Sequence, residues 1–221
     1  MRLVGQLDSP FVRRVAVSMT VLKLPFERDR SSVFGNFQDV RRSNPLGRVP
    51  ALVLDGGTVL IDSTAILDWL DGKVGPERAL MPHAGPARTA CWRLVALGLG
   101  SNEKLVALVY EHLMRTADKR SAPWMDRCRT QVTDALAALE EAAGNAGPWL
   151  LGGRLTQADI TVATMLGFLR LVEPATGLAP PHDGHWPHLK RLADRCEREP
   201  AFAACFPPET ERPLPPDFRP T

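Results

Sequence analysis

Residues 49–70 read VPALVLDGGTVLIDSTAILDWL, and this stretch decides the fold of the first part of the chain. The turn sequence Asp-Gly-Gly at 55–57 separates two strand-like runs, Val49–Leu54 and Thr58–Ile61, which predicts a β-hairpin. From Ser63 onward the apolar residues recur at the spacing of one helix face. The stretch therefore predicts a β-hairpin that is followed directly by a helix.

The residues before this stretch predict a strand, a helix and a second strand. The strand-like runs are Arg2–Gln6 and Phe26–Arg30. Between them Ser9 precedes Pro10, a favourable pair for a helix start, and apolar residues follow at helical spacing. A weaker helical signal covers Phe37–Ser43. The order of these elements predicts an α/β domain with a mixed sheet, which resembles the thioredoxin fold.

The rest of the chain predicts an all-α domain. Residues 72–86 contain three glycines and three prolines without periodicity, which indicates a domain boundary. Strand signals vanish after this point, and six prolines in residues 207–221 predict an extended, poorly ordered tail. The helical stretches are Ala87–Met114, Trp124–Ala143, Thr156–Leu171 and Leu189–Glu199. The predicted organisation is a thioredoxin-like domain (1–75), a linker (76–86), a helical-bundle domain (87–206) and a Pro-rich tail (207–221).

The composition is that of an ordinary globular protein, with 44% hydrophobic and 24% charged residues among 221. The formal net charge is +2, and residues 1–71 carry 9 basic and 8 acidic side chains against 18 and 17 in the remainder. The sequence has no basic block and no apolar run of membrane-spanning length. We therefore expect neither nucleic acid nor a membrane as a partner.

Cysteine and histidine usage favours a cytoplasmic protein without a metal. The first ten residues lack the apolar stretch of a secretory signal, and the four cysteines form no C-x-x-C pair, as expected of reduced thiols. Three histidines recur within residues 182–188, but Asp183 is their single neighbour of a type common in zinc sites. We therefore expect no metal.

Ser9 is the first candidate for chemistry. The simpler interpretation is an N-cap that accepts a backbone N–H. A hydroxyl at a helix N-terminus can instead donate to a thiolate, whose charge the helix dipole also favours. A free thiol of pKa ~8.5 is only about 3% ionised at pH 7. Lowering that pKa by two units needs ~2.7 kcal/mol, and one charge-assisted hydrogen bond supplies most of it.

Two further sites are candidates for binding a ligand. In Arg48-Val49-Pro50, a cis proline bond would let the Val49 backbone pair with an extended peptide, and Arg48 could bind a carboxylate. Ser63 is a candidate N-cap with free N–H groups, and Asp62 beside it could hold an ammonium group. The simpler interpretations are a solvated surface charge and an ordinary acidic helix start.

These sites together suit a ligand with an α-amino acid end, a central thiol and a second carboxylate, which describes glutathione. The motifs SPFVRRV (9–15), NPLGRVP (44–50) and DSTAI (62–66) resemble the glutathione-site motifs of serine-type bacterial glutathione transferases. LGGRLTQADI (151–160) resembles the family's capping motif on a central buried helix, and Thr156 with Asp159 forms a capping-box-like pair. The resemblance covers roughly residues 1–207.

The resemblance implies an enzyme that takes glutathione as co-substrate, without a metal. Ser9 would activate the thiol for attack on a small hydrophobic electrophile, in a cytosolic homodimer of the detoxification type. Phe11 and Tyr110 are the candidates for the electrophile site, although Tyr110 could equally be a core residue. The implied glutathione-binding residues are Arg48 for the glycine carboxylate, Val49 and a cis Pro50 for the cysteinyl part, and Asp62 and Ser63 for the γ-glutamyl end.

The sequence also departs from parts of the family. The N-terminal domain has no cysteine, which disfavours a mixed-disulfide mechanism, and it lacks the Ser-Ser-Cys motif of the maleylacetoacetate isomerase relatives. Disulfide reduction, peroxide reduction and dehalogenation at the same site remain alternatives. A non-catalytic protein that binds glutathione or a protein partner is another.

Overall fold

Four short strands form one mixed sheet in the computed structural model, which describes residues 1–211. The central β1 (Arg2–Val4) pairs in parallel with β2 (Glu27–Asp29) on one side. On its other side it pairs antiparallel with β3 (Ala51–Val53), which in turn pairs antiparallel with β4 (Val59–Ile61). The strand order is β2-β1-β3-β4, so the predicted mixed sheet is confirmed.

Helices cover this sheet and build the second domain. Because β1 and β2 run parallel, they need a crossover connection, and α1 provides it with its apolar face buried. The second domain contains helices and no strand among the described residues, which confirms the predicted all-α bundle. The α-helices are α1 (Pro10–Val21), α2 (Phe37–Ser43), α3 (Ser63–Val74), α4 (Gly85–Met114), α5 (Ala122–Gly144), α6 (Gln157–Thr176), α7 (Pro187–Arg198) and α8 (Pro200–Ala204).

Helix α6 is the centre of the molecule. Every residue from Gln157 to Leu166 is buried, since α1, α4 and α7 pack around it. Its N-terminus is closed by the predicted capping box, in which Asp159 accepts from the Thr156 backbone N–H at 2.8 Å. The second Asp159 oxygen accepts from the Leu150 N–H at 2.7 Å. A helix buried all round has no water at its N-terminus, so these donors need protein acceptors.

Polar contacts between α1 and the helical domain fix the two domains to each other. Gln157 Nε2 donates to Ser18 Oγ at 2.7 Å in the buried interface. Arg13, which is almost fully buried, donates to the Cys205 carbonyl at 3.0 Å and pairs with Glu197 at 2.7 Å. The N-terminal domain is therefore held by α7 and by the residue that follows α8, as well as by α6.

The structure differs from the sequence prediction mainly beyond α7. Residues 200–204 form the short helix α8, which the sequence analysis did not predict. The predicted extended tail begins at Pro207, yet Glu209–Glu211 forms a 3₁₀ turn and Glu211 is only 2% exposed. Its carboxylate binds the N-terminal domain, a contact more than 180 residues away in sequence that local patterns do not encode. The remainder of the predicted tail, 212–221, lies outside the described residues.

Candidate functional site

The three candidate segments meet at one edge of the sheet because of its register. Val4 at the end of β1 pairs with Ala51 at the start of β3, and Ala51 pairs with Ile61 at the end of β4. The chain leaves β1 toward Ser9, enters β3 from Pro50 and leaves β4 toward Asp62. Residues 9, 48–50 and 62–63 therefore line two adjoining pockets, which share Phe11, Arg48 and Val49 and together make up the cleft.

Ser9 is the N-cap of α1, as predicted. Its Oγ accepts from the Val12 N–H at 3.4 Å, which is at the long, weak end of hydrogen-bond distances. A hydroxyl that accepts one hydrogen bond still has its own O–H to donate. The side chain is half-buried and lines the cleft, so this donor can serve a ligand at the helix N-terminus.

The loop before β3 is shaped by its own side chains. Asn44 accepts from the Leu46 N–H at 3.0 Å and donates to the Arg48 carbonyl at 2.8 Å. Gly47 adopts a φ of +62°, and a Cβ there would lie 2.2 Å from the ring of Phe37, so this position requires glycine. The Val49–Pro50 peptide bond is cis, as the sequence resemblance implies.

The N-terminus of α3 differs in one detail from the prediction. Asp62, rather than Ser63, is the N-cap, and its carboxylate accepts from the Thr64 N–H at 2.7 Å. Asp62 also has a φ of +69°, a strained backbone conformation for a residue other than glycine. Ser63 is the first helical residue and only 2% exposed, with its Oγ accepting from Arg14 at 3.1 Å.

Arg14 is a buried cation beneath this end of the cleft that sequence reasoning missed. Burial lowers the pKa of its guanidinium to about 10, while the Asp62 charge acts in the opposite direction. The group is therefore still cationic at neutral pH and compensates the Asp62 carboxylate from inside the protein. The signal available in the sequence was an arginine among the apolar residues of α1, which implies a buried partner.

Arg48 forms an ion pair with Glu103 on α4, at 2.7 Å. Both side chains are more than half exposed, at 59% and 51%, and both line the cleft beside Asp62. An exposed pair of this kind contributes only ~0–1 kcal/mol. A ligand carboxylate can therefore replace Glu103 on the guanidinium at little cost. Glu103 was not predicted, because it lies 55 residues from Arg48 and on the other domain.

Away from the polar end, the cleft becomes apolar. This second part encloses about 700 Å³ of space, some of it open solvent, and lies between the N-terminal loops and the helical domain. Phe11 and Tyr110 both line it. The Tyr110 ring makes an edge-on contact with Phe34, with 5.7 Å between centroids, and is 42% exposed. Burial raises the Tyr110 pKa, so the phenol is neutral at physiological pH.

Asp8 is a second residue that the sequence analysis did not identify. It lies in the wall of the apolar cleft, next to Ser9. Burial raises the pKa of its carboxyl to about 7, and the neighbouring Glu211 charge acts in the same direction, against a backbone hydrogen bond from Ser9. Near neutral pH the cleft therefore contains a carboxyl group that is partly protonated. An acidic residue before an N-cap serine gives no indication of this in sequence.

Within residues 1–211 there is no group of three or more His, Cys, Asp or Glu side chains suited to hold a metal ion. None of the helices described is both long and apolar enough to cross a membrane.

This fold and cleft define a class of two-domain proteins, in which a thioredoxin-like domain is joined to a helical bundle. Family models for the glutathione S-transferase N-terminal and C-terminal domains match residues 3–78 and 122–198. Maleylacetoacetate isomerase of Pseudomonas aeruginosa is 32% identical over 168 residues, covering 74% of this chain and 73% of that protein. The chain belongs to the glutathione S-transferase family.

Two solved structures carry the same fold. A glutathione S-transferase from Methylobacterium radiotolerans, in complex with glutathione sulfonate, is 32% identical with a TM-score of 0.85, covering 96% of this chain and 99% of that one. A glutathione transferase family member from Pseudomonas fluorescens Pf-5, with bound glutathione, is 31% identical with a TM-score of 0.78, covering 94% and 98%. These findings support a glutathione-dependent enzyme.

Proposed function

We propose that the protein is a glutathione transferase that uses Ser9 to stabilise the glutathione thiolate. The observation that carries the proposal is the convergence of three segments on a cleft that is polar at one end and apolar at the other. The Ser9 hydroxyl lies in the wall of this cleft, at the N-terminus of a twelve-residue helix. The relatives solved with glutathione or glutathione sulfonate support the same ligand.

In this proposal the polar end binds the peptide part of glutathione. The α-amino group pairs with Asp62, and the neighbouring carboxylate takes the N-terminal N–H groups of α3 at Ser63. The backbone of Val49, before the cis Pro50, pairs with the cysteinyl residue. On binding, the Arg48 guanidinium releases Glu103 and pairs with the glycine carboxylate of glutathione instead. Asp62 and Ser63 are already held by hydrogen bonds within the protein, so binding orders few additional groups at this end of the cleft.

The reaction begins when the thiol loses its proton to solvent and the thiolate accepts the Ser9 hydrogen bond. The sulfur then attacks an electrophilic carbon held against Phe11 and Tyr110. A carbon–sulfur bond forms, and the displaced electron pair leaves with the leaving group or moves to the acceptor end of a double bond. The protein contributes thiolate stabilisation and proximity, without a covalent enzyme intermediate.

A second candidate is glutathione-dependent isomerisation, which the maleylacetoacetate isomerase relative favours. Reductase, peroxidase and dehalogenase reactions would use the same thiolate. A panel with one substrate of each class distinguishes them, because only a transferase gives a stable glutathione conjugate while an isomerase releases glutathione unchanged.

We also propose a cytoplasmic homodimer. All four cysteines are buried free thiols, which suits a reducing compartment. Leu46 is 68% exposed beside the site, and a second copy of the chain could cover this apolar side chain. Light scattering over a concentration range tests the dimer.

The test of the proposed function is calorimetric binding of glutathione, combined with thiolate absorbance of the bound ligand against pH. We expect micromolar-to-millimolar binding and a thiol pKa well below its free value. A failure to bind, or binding with an unshifted thiol pKa, would contradict the proposal.

A further inference from the structure

We propose that Glu211, near the end of the chain, is a positioning residue that fixes the loop carrying Ser9. The Glu211 side chain is 2% exposed, and its Oε2 accepts from the Leu7 backbone N–H at 2.8 Å. Leu7 is itself buried and lies two residues before Ser9. The acceptor for this loop amide thus comes from 204 residues further along the chain.

Two arginines pair with this carboxylate and stabilise its charge in the buried site. Arg28 on β2 donates from Nη2 to the same Oε2 at 2.6 Å, and Arg30 Nε lies 3.4 Å from Oε1. A buried carboxylate is stable only when it is paired and hydrogen-bonded. Since β2 pairs with β1, Glu211 connects the end of β2 to the turn that follows β1.

That turn determines where the Ser9 hydroxyl lies. β1 ends at Val4, and Gly5 turns the chain with a φ of +130°, so close to α1 that a Cβ would lie 2.5 Å from Val12. The Ser9 N–H then bonds the Gln6 carbonyl at a long 3.3 Å. The strong Glu211 contact at Leu7 lies within this turn, so it restricts the position from which Ser9 reaches a ligand.

The catalytic part of this inference rests on the proposed function, and two readouts separate them. The first is hydrogen exchange of residues 5–12 in the ligand-free protein. The second is kcat, KM for glutathione and the thiol pKa of bound glutathione. The variants are Glu211→Leu, which removes both oxygens at similar volume, and Glu211→Gln, which keeps one acceptor oxygen. Glu77→Gln, at an exposed carboxylate after α3, is the control.

In Glu211→Leu we expect exchange of the loop to rise about tenfold. We expect kcat at pH 6.5 to fall about tenfold and the bound thiol pKa to rise, with KM for glutathione within about threefold. Glu211→Gln should lie between this variant and wild type, and it keeps the test available if Glu211→Leu does not fold. Glu77→Gln should match wild type in every readout.

Loop exchange that is unchanged in both Glu211 variants would overturn the role of Glu211 in fixing the loop. Faster exchange with an unaltered kcat and thiol pKa would overturn its role in positioning Ser9. If wild-type protein did not bind glutathione, the proposed function would fall together with the catalytic part of the inference. The exchange comparison would still decide whether Glu211 holds the loop.

Discussion

The N-termini of α6 and α1 are both capped by a side-chain oxygen that accepts hydrogen bonds, but only the cap of α6 is fully hydrogen-bonded within the protein. At α6, the buried Asp159 carboxylate accepts three hydrogen bonds of 2.7–2.8 Å, from Leu150 and Thr156. At α1, the half-buried Ser9 hydroxyl accepts one weak bond of 3.4 Å and lies on an open cleft. At α6 the protein itself supplies every hydrogen bond of the cap, whereas at α1 the Ser9 hydroxyl can still donate a hydrogen bond to a ligand.

This difference shows how a helix end is assigned to folding or to binding. A buried helix end must be satisfied internally, because water does not reach it. A helix end at a cleft can remain weakly capped, because water serves it until a ligand arrives. The energetic consequences of substitution should therefore fall on stability at α6 and on ligand chemistry at α1 and α3.

The largest expected effect is at the N-terminus of α6. Asp159→Ala leaves three buried donors without an acceptor, and we expect the free energy of unfolding to fall by ~4 kcal/mol. Ser9→Ala removes a single weak hydrogen bond from the half-buried cap of α1 and should cost only about 1 kcal/mol. Urea unfolding of both variants measures the contrast. Equal losses would show that burial does not separate the two caps.

Ser9→Ala tests the open helix end. We expect the bound thiol pKa to rise by up to about two units, a loss of ~1.5–2.7 kcal/mol, with glutathione affinity within a few-fold of wild type. The matched control is Ser121→Ala, at the exposed N-cap of α5, where the side chain makes no cap bond. Thiolate absorbance and activity from pH 6 to 8 give the result. Unchanged activity across that range contradicts the role of Ser9.

Asp8, next to the N-terminus of α1, makes the free energy of unfolding depend on pH. Its folded pKa of about 7 lies above the unfolded value, so the folded state binds the proton more tightly. This carboxyl therefore destabilises the fold increasingly as pH rises from about 4 to 7. Asp8→Asn should raise the free energy of unfolding by about 2 kcal/mol at pH 8, since solvent reaching the half-buried group reduces the full three-unit effect.

At pH 4 the folded state keeps Asp8 protonated and the unfolded state is about half protonated, so the Asn variant should differ from wild type by less than about 0.5 kcal/mol. Urea unfolding at pH 4, 6 and 8 measures the trend. A difference that does not grow with pH would mean that the Asp8 pKa is not raised in the folded protein.

The smallest effect is expected for the exposed ion pair over the cleft. Glu103→Gln removes the carboxylate that competes for Arg48, and glutathione should bind about two- to threefold more tightly. Stability should change by less than ~0.5 kcal/mol. Asp126→Asn, which breaks the exposed pair with Arg129 on α5, is the control and should leave binding unchanged. Weaker binding in Glu103→Gln would instead place Glu103 among the ligand-binding groups.

Local patterns were sufficient for much of this molecule. The hairpin around residues 55–57, the Ser9-Pro10 helix start and the Thr156–Asp159 capping box were all predicted correctly, because each depends on residues a few positions apart. The resemblance of three short motifs also predicted the family and the cis bond before Pro50. The cap of α3 was placed one residue late, since Asp62 and Ser63 are both good cap residues.

The tertiary structure alone decided which charges surround the site. Arg14 lies under Ser63, Glu103 pairs with Arg48 across the domains, and Glu211 reaches Leu7 from the far end of the chain. Each contact joins residues 49 to 204 positions apart, so no periodicity or spacing in the sequence indicates it. The sequence determined which side chains are candidates for binding a thiol peptide, through local caps and turns. Packing of α4 and the C-terminal turn against the first domain determined their charge environment, because desolvation and Coulomb interactions depend on distance in space.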